Sequence, residues 1–163
     1  MRKVRKRFTD ESAMVLFRAP IYVFAEELMK QDSNEFYREE DRVVLLKTFL
    51  RIAKKWKFTP TECQTLLGLS AINPKSWQYW IRRANDGKSF SRSNRSRLER
   101  IAYIISIYKF SNFLFCETNG GFTWFNSPNP ASPFLGKSPF QYVLDGRIVG
   151  LYRAYAHLAT MKP

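Results

Sequence analysis

One stretch limits what this chain can become. Residues 59–100, TPTECQTLLGLSAINPKSWQYWIRRANDGKSFSRSNRSRLER, hold two helix starts, one helix stop and a run of basic side chains. Thr59-Pro60-Thr61-Glu62 has the form of a helix N-terminus: Thr59 as N-cap, Pro60 at the first helical position, Glu62 closing a capping box. The helix it opens carries Leu66 and Leu67 and is expected to stop at Gly68, which can take the left-handed conformation that a helix end often needs. Asn73-Pro74 repeats the start signal as N-cap and first helical residue. A second helix, Lys75 to about Ala84, then has Trp77, Trp80 and Ile81 to pack inward and shows Lys75, Ser76, Gln78, Tyr79, Arg82 and Arg83 to solvent. A helix, a short glycine-containing turn and a polar, basic, amide-bearing helix make a helix-turn-helix pattern, so the expected ligand is double-stranded DNA.

Charge placement supports that expectation. The 163 residues carry a formal charge of +13, with 27 Lys and Arg against 14 Asp and Glu. An excess of this size favours polyanions, because releasing counterions from phosphates drives association. A merely soluble basic protein would have the same total, but here the cations cluster. Lys75 to Arg100 contains eight basic residues against Asp86 and Glu99. Within it, Lys88 to Arg97 (KSFSRSNRSR) reads either as a flexible loop capping the next helix from Ser91 or Ser93, or as a phosphate clamp. On the clamp reading, Lys88, Arg92, Arg95 and Arg97 join the DNA-contact set.

The length suits one domain, or two small ones sharing a core, and 45% apolar with 16% aromatic residues is ample for a packed interior. Met1 to Arg7 reads as a charged arm, either solvated or reaching a phosphate or minor groove. Pro20 opens a short helix with Ile21, Phe24, Ala25 and Leu28 on one face, and Gln31 to Glu40 reads as a polar connector. Asp41 to Trp56 is a stronger helix. Val43, Leu46, Leu50 and Ala53 form one stripe and Leu45, Phe49, Ile52 and Trp56 its neighbour, so a wide face is buried. Leu98 to Phe115 makes a long core helix with a possible dimer face. Thr118 to Lys137, with Gly120-Gly121 and three prolines, is a boundary tethered by Trp124, Phe125 and Phe134. Ser138-Pro139 starts a short helix through Leu144, stopped by Asp145-Gly146, and a last helix runs from Ile148 to about Thr160 with Leu151, Tyr152, Tyr155 and Leu158. The fold class is all-α.

No apolar run reaches the roughly 18 residues of a membrane span. The basic opening lacks a signal-peptide core, and Cys63 and Cys116 lack metal or disulfide spacing, so both are expected as buried thiols in a bacterial cytoplasm. A single His, no paired-carboxylate motif and no phosphate loop leave nothing to assemble into a catalytic site, and no cofactor or metal is implied.

The C-terminal third resembles a known module. Trp124, Asn129, Phe134-Leu135-Gly136, Ser138-Pro139-Phe140, Val143-Leu144-Asp145-Gly146 and Tyr152-Arg153-Ala154-Tyr155 are similar to the toxin-binding domain of the Xre/MbcA/ParS antitoxins. Leu66-Leu67-Gly68-Leu69-Ser70, Trp80, Leu98-Glu99-Arg100-Ile101 and Ile107-Tyr108-Lys109 resemble the Xre-like helix-turn-helix of the same family. The likeness spans roughly Val43 to Met161. It implies a helix-turn-helix bundle followed by a small helical toxin-binding domain: residues 1–40 an arm and N-terminal helix, 41–117 the DNA-binding domain, 118–163 the toxin-binding domain.

The implied role is that of a type II antitoxin. Such a chain would occlude the active site of an NAD-consuming RES-type toxin and bind its own operator, as a homodimer in the working expectation. Arg147, Arg153, Tyr155, His157, Met161 and Lys162 are the residues expected to meet the toxin, while Trp124, Phe134 and Phe140 are expected mainly in the core. The alternative is a stand-alone helix-turn-helix regulator that uses the C-terminal module to oligomerise.

Overall fold

A computed structural model describes residues 39–69, 74–90 and 95–161. Among the described residues the chain is all-helical, with no strand: α1 Glu39–Lys55, α2 Pro60–Leu66, α3 Pro74–Asn85, α4 Arg95–Leu114, α5 Gly120–Asn126, α6 Pro139–Asp145 and α7 Arg147–Thr160. The arm and the helix expected from Pro20 lie outside the described residues, as do residues 70–73, which include Asn73, and both candidate caps Ser91 and Ser93.

Local chemistry accounts for most of the boundaries. Thr59 accepts from the Glu62 backbone N–H at 3.3 Å, and the Glu62 carboxylate accepts from the Thr59 N–H at 2.7 Å, so α2 begins in the expected capping box. Ser138 and Gln141 make the equivalent pair at the start of α6. Gly68 lies just beyond α2 with φ +66°, the left-handed position expected of it. Its Cα-side space is filled by Arg100, whose guanidinium donates to the Leu66 carbonyl at 3.4 Å.

Helix α4 is the axle. Leu98, Ile101, Ile104, Ile105, Ile107 and Phe110 are buried on all sides of it, and α1, α5 and α7 pack around it. Most of its apolar surface is therefore used within the chain, while Phe113 stands 55% exposed near its C-terminal end. Both expected stripes of α1 are buried or half-buried. The core does not divide at residue 117. Trp56 stacks on Phe125 of α5 at 4.5 Å between ring centroids, Phe58 lies parallel to Phe140 of α6 at 5.0 Å, and α6 also touches α2.

Two expectations need correction. The Gly-Gly stretch inside Thr118–Lys137 is helical as α5, against glycine's poor propensity. Close docking explains it: a Cβ on Gly121 would lie 2.9 Å from the Asn112 nitrogen of α4, so only glycine lets Phe125 reach the core. The second concerns the thiols. Cys63 is buried, and that burial, reinforced by Glu62, pushes its thiol up to about 12, whereas Cys116 is exposed at the α4 terminus. A thiol reagent at neutral pH should modify Cys116 alone in the folded protein and both cysteines in denaturant. Equal native rates would contradict the packing around Cys63.

Candidate nucleic-acid and partner interfaces

Helix α3 is held from beneath by Trp77, whose ring meets Phe49 of α1 edge-on at 6.4 Å, and by Trp80, which packs against the fully buried Phe90 at 4.0 Å. This fixes the helix rotation and leaves Gln78, Tyr79 (46% exposed) and Arg82 outward together. Of the expected DNA-contact residues, these three share one open face. Amide, phenol and guanidinium are groups that can donate to base edges or phosphates. Arg92 and the side chains of Lys75 and Ser76 lie outside the described residues.

Arg83 has a different place from the one expected. It is half-buried, donating to the Ser89 carbonyl at 2.9 Å and to the Tyr79 hydroxyl at 3.2 Å, and its guanidinium lies over the rings of Tyr79 and Trp80. Ser89 in turn donates from its hydroxyl to the Arg42 carbonyl of α1 at 2.9 Å. Arg83 thus ties the start of the basic loop to α3, and steadies the phenol of Tyr79. This second role leaves no mark in the sequence, because Ser89 is six residues away and only the turn through Gly87 brings it back. Lys88 is exposed beside the loop, and Arg97 lies over the ring of Phe90. Arg95 pairs with Glu99 at 2.8 Å across one helical turn; such an exposed pair contributes little, so phosphate can compete for Arg95.

The C-terminal set divides. Arg147 and Arg153 are exposed, the first in a left-handed conformation (φ 55°) at the start of α7. Arg153 donates to the Tyr142 hydroxyl at 3.4 Å, which holds its guanidinium charged. Burial, and then the nearby Arg147, lower Arg100, so cations of α4 and α7 face one another. Tyr155 is 8% exposed and packs against Tyr103 and Phe110; it belongs to the core rather than to a partner surface. His157 is half-buried between Trp124 and Phe134, and its Nε2 and the Trp124 Nε1 are both buried without a hydrogen-bond partner. It too faces inward. Met161 is half-buried against the core, and Lys162 lies outside the described residues. Tyr152, read from the sequence with the apolar stripe, is 53% exposed and stands beside Val149, also exposed. Burial of its neighbours Leu151 and Ala154 turns it outward.

Lys109 of α4 adds a titration. Burial lowers its ammonium to about 8, against 10.5 for the free side chain. A depressed amine costs stability while the folded chain must hold the charge. The contribution of Lys109 alone should therefore rise with pH between about 8 and 10.5, by about 1–2 kcal/mol after discounting for partial exposure, and is read as the difference from a variant lacking the amine because the raised Cys63 thiol acts in the opposite direction above about 9. Urea unfolding of the protein and of Lys109→Met across that window tests it: parallel curves would refute the assignment. Among the described residues no group of three or more His, Cys, Asp or Glu side chains could hold a metal ion, and no helix is long and apolar enough to cross a membrane.

Comparison with known proteins adds little. A curated protein described as uncharacterized protein y4oB, from Sinorhizobium fredii (strain NBRC 101917 / NGR234), is 28% identical over 117 residues, which is 72% of this chain and 83% of that protein. No family model matches the chain, and no solved structure matches it either.

Proposed function

We propose that this chain is an antitoxin that binds operator DNA through the outward face of α3 and neutralises a RES-type toxin through its C-terminal helices. The observation that carries the DNA half is the shared exposure of Gln78, Tyr79 and Arg82 beside a basic loop anchored by Arg83. A groove-entering helix needs a rigid support and donors on one side, and α3 has both. The toxin half rests on the resemblance of residues 124–155 to the Xre/MbcA/ParS toxin-binding domain. The exposed Arg147, Val149, Tyr152 and Arg153 supply aromatic and arginine anchors of the kind that dominate protein interfaces. Inhibition by occlusion requires no catalytic group from this chain.

Binding to the DNA upstream of its own gene, measured against salt, tests the first half. Arg82→Ala should weaken binding and reduce the salt slope by about 1, whatever the sequence of the DNA. An unchanged affinity and slope would remove α3 from the interface. Co-expression with the neighbouring gene product tests the second. A stable complex with loss of toxicity, both abolished by Tyr152→Asp with Arg153→Glu, is the expected result. Promoter binding with no protein partner would favour the stand-alone regulator.

A further inference from the structure

We propose that Tyr79 is the residue of α3 that reads a base, and that Arg83 sets the direction of its hydrogen bond. The phenol donates, so it takes a base that presents an acceptor in the major groove, guanine or thymine, and rejects cytosine. The assignment rests on the DNA-binding role proposed for α3 and adds to it which residue discriminates between sequences.

Tyr79 is 46% exposed, yet its ring is held in place. It meets Trp80 edge-on at 5.1 Å, and Trp80 packs on the fully buried Phe90 at 4.0 Å. One helical turn on, the Arg83 guanidinium lies 5.5 Å from the Tyr79 ring centre and donates to the Ser89 carbonyl at 2.9 Å. Ser89 is 2% exposed and its hydroxyl donates to the Arg42 carbonyl at 2.9 Å, so this chain of supports ends in the core helix α1. A ring with two torsions, wedged between an indole and an anchored guanidinium, has little freedom left to lose on binding.

The polarity of the hydroxyl is set as well. Arg83 Nη1 donates to the Tyr79 hydroxyl oxygen at 3.2 Å. A guanidinium has only donors, so the phenol can do nothing but accept from it. The hydroxyl hydrogen is left to point elsewhere, and no acceptor among the described residues takes it. The cation beside the oxygen also repels a second donor approaching there. What α3 shows at this position is therefore a donor of fixed direction on a fixed ring. Major-groove edges sort against such a group: guanine offers O6 and N7 and thymine O4, whereas cytosine offers only its N4 amino donor.

Site selection from randomised double-stranded DNA, with the full chain and with Tyr79→Phe, tests this. Phenylalanine keeps the ring and its packing, so the melting temperature should hold. At one base pair, or its symmetry mate in a palindromic site, the unmodified chain should prefer guanine or thymine over cytosine by about 5-fold, the effect of one hydrogen bond. Tyr79→Phe should lose that preference and keep those at other positions. Arg83→Met should admit cytosine at the same base pair, because the hydroxyl is then free to accept. Read as a ratio between two sequences on one variant, this result is insensitive to any uniform loss from a loosened loop. A Tyr79→Phe profile like that of the unmodified chain, or a loss equal for every sequence, as for a hydroxyl resting on a phosphate, would overturn the inference and leave α3 on the DNA. A chain that selects no site, or whose binding ignores Arg82→Ala, would overturn the DNA role of α3 and this inference with it.

Discussion

Replacing Trp56 by alanine should lower the unfolding free energy by about 3–5 kcal/mol, a large share of what a domain of this size has. Trp56 is 3% exposed and sits where three helices and two halves of the chain meet. Its ring stacks on Phe125 at 4.5 Å, leans on Tyr108 of α4 at 5.1 Å and meets Phe58 edge-on at 5.9 Å. Truncation would leave a cavity between backbones already fixed by α4, so little collapse can offset it. Because the same ring serves both halves, the variant should still melt in one transition, at a lower denaturant midpoint and with both halves affected. Two separated transitions, only one of them shifted, would show that residues 118–161 fold apart from the preceding helices.

Gly150→Val should cost about 3 kcal/mol and act in particular on the partner surface proposed for α7. A Cβ at Gly150 would stand 3.0 Å from the Tyr142 carbonyl oxygen and 3.3 Å from the Val143 Cα, both backbone atoms of α6 that cannot rotate aside. Gly146 packs against the same position, its own Cβ direction ending 2.7 Å from the Gly150 Cα. Overpacking usually costs about 1–3 kcal/mol, and a clash of backbone with a β-branched side chain belongs at the top of that range. The helices α6 and α7 would splay, carrying Arg147 and Arg153 with them. Partner binding should therefore fall further than DNA affinity does. Urea titration and both binding assays on the one variant check this, and a loss below about 1 kcal/mol would show that the α6–α7 contact can relax.

Not all of this was legible in the sequence, and the division has physical causes. Helix starts at Thr59-Pro60 and Ser138-Pro139 are local chemistry: a hydroxyl, a proline and a carboxyl or amide three residues on satisfy groups within one turn. Helix α5 was not legible. Glycines argue against helix on propensity, and the reason they are tolerated, close contact with Ser111 and Asn112, belongs to another helix. Tyr152 and Tyr155 show the same limit, since a three-residue offset on α7 puts one outside and the other against Phe110. Periodicity marks which face is apolar, but the rotation of that face is set by what covers it.

By itself, then, the sequence determined the all-helical class, the capped starts of α2 and α6, the stop at Gly68, and the choice of α3 as the helix with donors to show. Each depends on residues within a turn or two of one another, where spacing alone dictates the contact. Tertiary structure decided that both halves share one core, that Arg83 fastens a loop as well as carrying charge, that Tyr155 and His157 face inward, and that Leu135 stands out in water. Those outcomes depend on which distant side chains fill the space first, and close packing leaves each neighbour only the room that remains.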